Sequence, residues 1–281
     1  MATLRDIRQR ISSLKSTQKI TRAMKMVAGA KMRRVQLQLA AGRDYAEELL
    51  TVTSIAAGSK RDHPLLLKRR RERICYVLIT GDRGLCGSFN ANLIHTAEEE
   101  LEKYKDRQPL LVTIGRKGYE HFSRLQVPSL KSHNDFFNHL NCKLAGQIAG
   151  SLMHLFLTRE VDQIWVIYHE FHSLSQQGVV VRPLLPLPLP RPPAGSGFLF
   201  EPRPADLVET FAPKAVAALL YRMLLESFTA EQAARMAAME QATENAEEMI
   251  RELVLFYNKA RQAAITKELS EIVGSAEALR Q

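Results

Sequence analysis

Apolar residues in the first part of the chain recur at alternating three- and four-residue steps: Leu4, Ile7, Ile11 and Leu14, then Ala28, Met32, Val35, Leu39, Gly42, Ala46 and Leu49. That spacing keeps one stripe of a helix apolar, at the heptad period of a coiled coil. The last part repeats it with Met236, Met239, Thr243, Ala246, Ile250, Leu253, Tyr257, Ala260 and Ala264. Alanine is frequent in this second stripe, and small side chains let two helices approach closely. Proline sharpens the boundaries: all twelve lie between Pro64 and Pro213, leaving arms of 63 and 68 residues without this helix breaker. The pattern therefore predicts terminal helices over 1–60 and 205–281, paired antiparallel. The alternative is two amphipathic helices covering a globular core. Length opposes it, because the last arm reaches roughly 100 Å at 1.5 Å per residue.

Between the arms, residues 61–204 read as an α/β domain. A buried strand is expected at Ile74–Thr80, a helix near Ala91–Tyr104, and a second strand at Leu110–Gly115. A helical pattern from Phe136 to Leu157 leads into a strand at Gln163–Tyr168, and Gly178–Arg182 is a further β-branched run. Strands alternating with helices favour a mostly parallel sheet. Pro183–Pro193 holds six prolines and reads as an extended loop, within a proline-rich stretch that reaches 204.

Composition is that of an ordinary folded chain, 46% hydrophobic and 25% charged over 281 residues. No apolar run approaches the roughly 18 residues of a membrane span, and the first residues show no signal-peptide pattern. Cys75, Cys86 and Cys142 are scattered, which argues against a disulfide framework or a zinc site and for a reducing compartment. Charge is uneven. Residues 1–43 carry eleven Lys or Arg against Asp6 alone, whereas residues 214–281 hold eight basic and ten acidic side chains. The first arm could therefore attract the second and still face an acidic partner.

Candidate chemistry is sparse. Gly81-Asp-Arg-Gly84-Leu-Cys-Gly87 lies between a strand and a helix, where α/β proteins hold phosphates, but its spacing matches neither G-x-G-x-x-G nor a P-loop. The structural reading is a tight turn with Asp82 capping or pairing with Arg83. His169, Glu170 and His172 follow a strand whose alternation keeps them from converging on one metal ion, and His133 and His139 have no carboxylate at ligand spacing. Seven basic residues between Lys60 and Arg73, including Lys68-Arg-Arg-Arg71, form a patch that could meet phosphates. Aromatics that would stack bases are missing around it, so nucleic acid is not the expected partner. No nucleophile elbow or paired carboxylates are present, and no cofactor or metal is expected.

Thr17-Gln-Lys-Ile-Thr-Arg-Ala-Met-Lys-Met-Val-Ala28 with Lys31-Met-Arg33, and Tyr257-Asn-Lys-Ala-Arg-Gln-Ala-Ala-Ile-Thr-Lys-Glu-Leu-Ser-Glu-Ile-Val273, resemble the two arms of the gamma subunit of F-type ATP synthases. Asp82-Arg-Gly-Leu-Cys-Gly87 with Asn90 resembles the central signature of that family. Glu231-Gln-Ala-Ala-Arg-Met236 with Ala238-Met239 resembles the start of its last helix. The resemblance runs through the whole chain in order. It implies a long antiparallel coiled coil of N- and C-terminal helices with a central Rossmann-like α/β domain. The implied role is a non-catalytic rotor, turning inside alternating alpha and beta subunits, contacting epsilon and a membrane c-ring, and regulating ATPase activity. The chain would then lie on the cytoplasmic side of the inner cell membrane as a peripheral subunit.

The same resemblance assigns residues. Met24 and Lys25 match a segment facing a carboxylate-rich loop of beta, and Lys31, Arg33 and Arg34 would extend that positive face. Arg261 and Gln262 match a polar contact with another beta loop, while Arg235, Thr266 and Glu268 match positions tied to coupling. An apolar tip around Ile272 and Val273 would turn in a greasy sleeve. The plain reading of Arg261 is a pair with Glu268, or none. Thr80-Gly81-Asp82 departs from the usual Ser-Thr or Ser-Asp, and no regulatory cysteine pair is present, which favours a bacterial over a plastid source. Two alternatives remain at this level: a basic coiled-coil scaffold and a nucleotide-binding α/β protein using the Gly81–Gly87 turn.

Overall fold

The computed structural model describes residues 3–58, 62–70, 72–127, 129–133, 140–174, 176–192, 200–201 and 203–278. The chain divides into two compact units, one made of residues up to Ala28 with those from Met236 onward, the other of Gly29–Arg235. Helix α1 (Leu4–Ala57) and helix α5 (Pro204–Ala278) each contribute to both.

Local chemistry sets the ends of these helices. At the start of α1, the Asp6 amide donates to Thr3 Oγ1 (3.2 Å) while the Thr3 amide donates to Asp6 Oδ2 (3.0 Å), a reciprocal cap that satisfies free helix donors. At its other end Gly58 takes φ 54° and its amide returns to the Ser54 carbonyl, the left-handed stop that glycine adopts without strain. Helix α5 opens with Pro204 at its first position, where the missing amide costs nothing. Pro213 lies inside α5, so prolines do not mark its boundary as the sequence pattern implied. Burial of Val208, Ala212, Ala215 and Val216 on the domain core offsets the ~3 kcal/mol penalty of an interior proline.

In the first unit, α1 and α5 run antiparallel, with Thr21 opposite Thr243 and Lys25 opposite Glu240. Ile7, Thr21, Ala28, Met239 and Ala246 are buried, and Ile250, Leu253, Tyr257, Ala260 and Ala264 are half-buried. These are the expected seam positions of the last arm. Ile272 and Val273, the expected apolar tip, are exposed, as are Ile265 and Leu269 before them.

The second unit is built on a five-stranded sheet. Its strands are β1 (Ile74–Ile79), β2 (Leu110–Ile114), β3 (Ser129–His133), β4 (Gln163–Phe171) and β5 (Gln177–Leu185), in the order β3-β2-β1-β4-β5. The first four are parallel and β5 is antiparallel to β4. Helices α2 (Phe89–Lys103), α3 (Arg116–Arg124) and α4 (Cys142–Leu157) connect them. Every residue of β1 is buried, which explains its unbroken apolar sequence.

Three expectations need correction. Strand β5 continues through Pro183 to Leu185, so the proline stretch begins as strand; an edge strand tolerates a residue that cannot donate to a ladder. The α3–β3 pair was not anticipated. The helix expected from Phe136 begins at Cys142, where Asn141 Oδ1 accepts from the Leu144 amide, and 136–139, including His139, lie outside the described residues. Pro193 and the stretch to 199 also lie outside them.

Candidate functional site

In a doubly wound sheet, ligands enter at the carboxyl ends of the strands where the strand order reverses, here beside β1 and β4. This chain fills that place with α5. The Glu231 carboxylate packs so closely on the turn after β1 that a Cβ on Gly81 would stand 2.9 Å from its Oε1. The Gly81 amide, the donor a phosphate would seek, is bonded to Asn90 Oδ1 at 2.9 Å. Asp82 is buried. Its Oδ1 accepts from the Arg116 amide at the start of α3 (3.0 Å). Two buried carboxylates at this point make the turn hostile to phosphate, and the arrangement speaks against the nucleotide-binding alternative.

Arg235 completes the turn from below. Its guanidinium is mostly buried, lies 2.5 Å from Glu231 Oε1, and donates to the Gly84 carbonyl at 3.4 Å. Burial pushes the Glu231 carboxyl up and Asp82 adds to this, while Arg235 and Lys31 pull it down. Burial also raises the Cys86 thiol, with Glu231 adding its charge. Above this base, Arg83, Gly84 and Leu85 are exposed, and Leu85 holds φ 62°, a conformation disfavoured for a branched residue. Asn90 Nδ2 donates to the Arg83 carbonyl, which fixes the same turn from its other side.

The remaining sequence-assigned residues divide between the units. Lys31 and Arg33 are exposed in the second unit with Arg235, whose burial was not foreseen. Met24, Lys25, Arg261, Gln262, Thr266 and Glu268 belong to the first. Met24 and Lys25 are half-buried, and Lys25 Nζ sits 2.5 Å from Glu240 Oε1 across the helix pair. Arg261, Gln262, Thr266 and Glu268 are exposed, with the Thr266 hydroxyl donating to the Gln262 carbonyl (3.0 Å). Arg261 and Glu240 are about 30 Å apart along α5 at 1.5 Å per residue, so Lys25 and Arg261 address different surroundings.

The other candidates resolve into structure. His169 is buried and stacks on Phe89 with ring centroids 4.6 Å apart. Burial lowers its pKa to about 4. His172 pairs with Glu170, which Arg182 also meets. Among the described residues no group of three His, Cys, Asp or Glu could hold a metal ion. In the basic patch, Arg69 lies 4.1 Å over the Phe156 ring and donates to the Phe156 carbonyl, and Arg73 pairs with Asp162. Lys60, Arg61 and Arg71 lie outside the described residues.

A family model described as ATP synthase matches residues 3–279 of this chain. The ATP synthase gamma chain of Prosthecochloris aestuarii is 44% identical over 295 residues, covering 100% of this chain and 99% of that protein. The gamma chain of Heliobacterium modesticaldum is 42% identical over 291 residues, covering 99% and 100%. Among solved structures, a chain of the Tetrahymena thermophila mitochondrial ATP synthase central stalk and c-ring is 27% identical, with a TM-score of 0.62 over 79% of this chain and 99% of that one. A chain of the Euglena gracilis mitochondrial ATP synthase, 21% identical with a TM-score of 0.70 over 98% and 94%, agrees in fold.

Proposed function

The chain belongs to the ATP synthase gamma-chain family, and on that premise we propose how its residues transmit rotation. It is a non-catalytic rotor subunit of the central stalk, working with the alpha and beta subunits of the catalytic hexamer, with epsilon and with the c-ring. No helix among the described residues is long and apolar enough to cross a membrane, and the chain is a peripheral subunit of its complex. Its station is the cytoplasmic side of the inner cell membrane, a reading supported by its bacterial relatives. The observation that carries the functional reading is similarity over the full chain; the carboxylate-filled turn after β1 is its chemical counterpart in the fold.

Rotation changes which catalytic neighbour each face of the shaft meets. Only an interaction that differs between the open and closed states of a neighbour can shift its affinity for nucleotide. Half-buried Met24 and Lys25 in the first unit, and exposed Lys31 and Arg33 in the second, each offer positive or amphipathic contacts to an acidic loop. The Lys25–Glu240 pair is solvent-exposed and worth about 0–1 kcal/mol, weak enough for Lys25 to exchange Glu240 for a carboxylate of beta. Arg261, Gln262, Thr266 and Glu268 supply a second face. Arg235 acts differently, by holding the Gly84 turn from beneath.

Replacing Arg261 and Gln262 by alanine tests this assignment in the assembled complex. Co-purification with alpha and beta subunits is expected to survive, while ATP synthesis falls on the order of fivefold, a typical magnitude for a lost coupling term. Unchanged synthesis would reject the site.

A further inference from the structure

Where the second unit brings α1 against α5, three observations meet at one level. Gly42 allows a close approach: a Cβ there would lie 3.2 Å from Leu225 Cδ1. One residue further along each helix, the Arg43 Nε donates to Glu226 Oε1 at 3.0 Å, and the Arg43 Nη2 donates to the carbonyl of Phe171, the last residue of β4. Glu226 is completely buried, also receives Arg222 Nε at 3.0 Å, and its Oε2 has no partner. Its place inside the run Leu224-Leu225-Glu226-Ser227-Phe228 is unexpected for a carboxylate that serves only packing.

Toward the start of α5 from Glu226, Ala212, Ala215, Val216 and Leu220 pack into the core. Apolar burial opposes separation of α5 from the sheet but is non-directional. Charge-assisted hydrogen bonds in a dry interior are directional and short-ranged. Arg43 is the side chain that joins α1, α5 and a strand end in one such set.

We propose that Arg43 and Glu226 are positioning residues that lock the α1–α5 pair to the sheet against twist, so that rotation remains coupled when an opposing ion gradient loads the rotor. The proposal rests on the rotor reading. It concerns residues that touch no assigned contact position, and it distinguishes loaded from unloaded turnover, which a purely structural role would not.

The test uses the complete ATP synthase in sealed vesicles carrying Glu226→Gln, Arg43→Lys or, as a control, Glu102→Gln, which breaks an exposed pair with Lys105 away from α1 and α5. ATP hydrolysis without a gradient is expected to stay within roughly twofold of the parent in all three. Ions pumped per ATP against a gradient are expected to fall on the order of fivefold in Glu226→Gln and to fall also in Arg43→Lys, with Glu102→Gln unchanged. If Glu226→Gln fails to assemble, Arg43→Lys decides the matter. An undiminished pumping ratio in the assembling variants overturns the proposal, and so does loss of assembly in both, which would assign the pair to folding. Failure of the parent complex itself to pump would instead reject the rotor reading.

Discussion

Residues 3–28 with 236–278, and residues 29–235, both pack α1 against α5, yet they use polar chemistry in opposite ways. In the first unit the polar links across the pair include the Thr21–Thr243 hydroxyl contact at 2.7 Å and the exposed Lys25–Glu240 ion pair. In the second, the buried carboxylates Glu226 and Glu231 pair with Arg43 and Arg235, whose guanidiniums reach a strand end and a turn. A buried pair is costly to break because one partner is left charged in a dry interior, whereas an exposed pair exchanges partners with little loss. One helix pair thus has a fastened stretch and a stretch with weak, replaceable links. The weak stretch carries Lys25 and Arg261, two of the residues proposed to meet changing neighbours.

The largest expected effect tests how fastened the second unit is. Gly115 connects β2 to α3 at φ 98°, and a Cβ there would stand 1.9 Å from the Thr80 carbonyl oxygen. Neither the backbone conformation nor the space can accept alanine. Gly115→Ala is expected to lower stability by more than about 3 kcal/mol in denaturant unfolding. Gly146→Ala, inside α4 with nothing within 4 Å of the new Cβ, should instead stabilise by roughly 0.5–1 kcal/mol. Equal effects at the two sites would remove the claim that the domain backbone is tightly determined.

A pH titration separates the regions next. His169 belongs to the second unit, and its pKa is lowered from 6.5 to about 4 by burial. Above pH 6.5 the imidazole is neutral in folded and unfolded chains alike. Between 6.5 and about 4 only the unfolded chain takes up the proton, so stability is lost as pH falls, on the order of 3 kcal/mol in full. His169→Phe removes the proton site and keeps a ring against Phe89. Its stability at pH 7 should match or exceed the parent's, and the loss between pH 6.5 and 4 should shrink by that amount. An unchanged slope would assign the acid sensitivity elsewhere.

The sequence exposed the two stretches unequally. The seam Ala246, Ile250, Leu253, Tyr257, Ala260 and Ala264 was legible because a two-helix contact repeats one local rule. Thr21 and Lys25, which continue the α1 seam, were not, since polar residues hide the stripe. Helix α3 escaped notice for a similar reason: it reads Arg-Lys-Gly-Tyr-Glu-His-Phe-Ser-Arg and buries only Gly118 and Phe122. The i,i+4 spacing of Glu231 and Arg235 was visible. Their burial against Gly81 and Gly84 depends on a contact about 150 residues away, which no local pattern carries.

The smallest effects belong to the first unit, and they bear most directly on the difference between the stretches. Thr21→Ala removes a seam hydroxyl and is expected to cost about 1 kcal/mol, read as faster amide hydrogen exchange in residues 4–28. Lys25→Ala breaks a pair whose side chains are 38% and 48% exposed, so the expected change is about 0–1 kcal/mol and shrinks further at high salt. In the assembled complex the same Lys25→Ala change should weaken ATP synthesis more than it weakens the chain. A loss of stability as large as its loss of coupling would mean that Lys25 serves Glu240 and not a neighbouring subunit, and the weak stretch would no longer differ in kind from the fastened one.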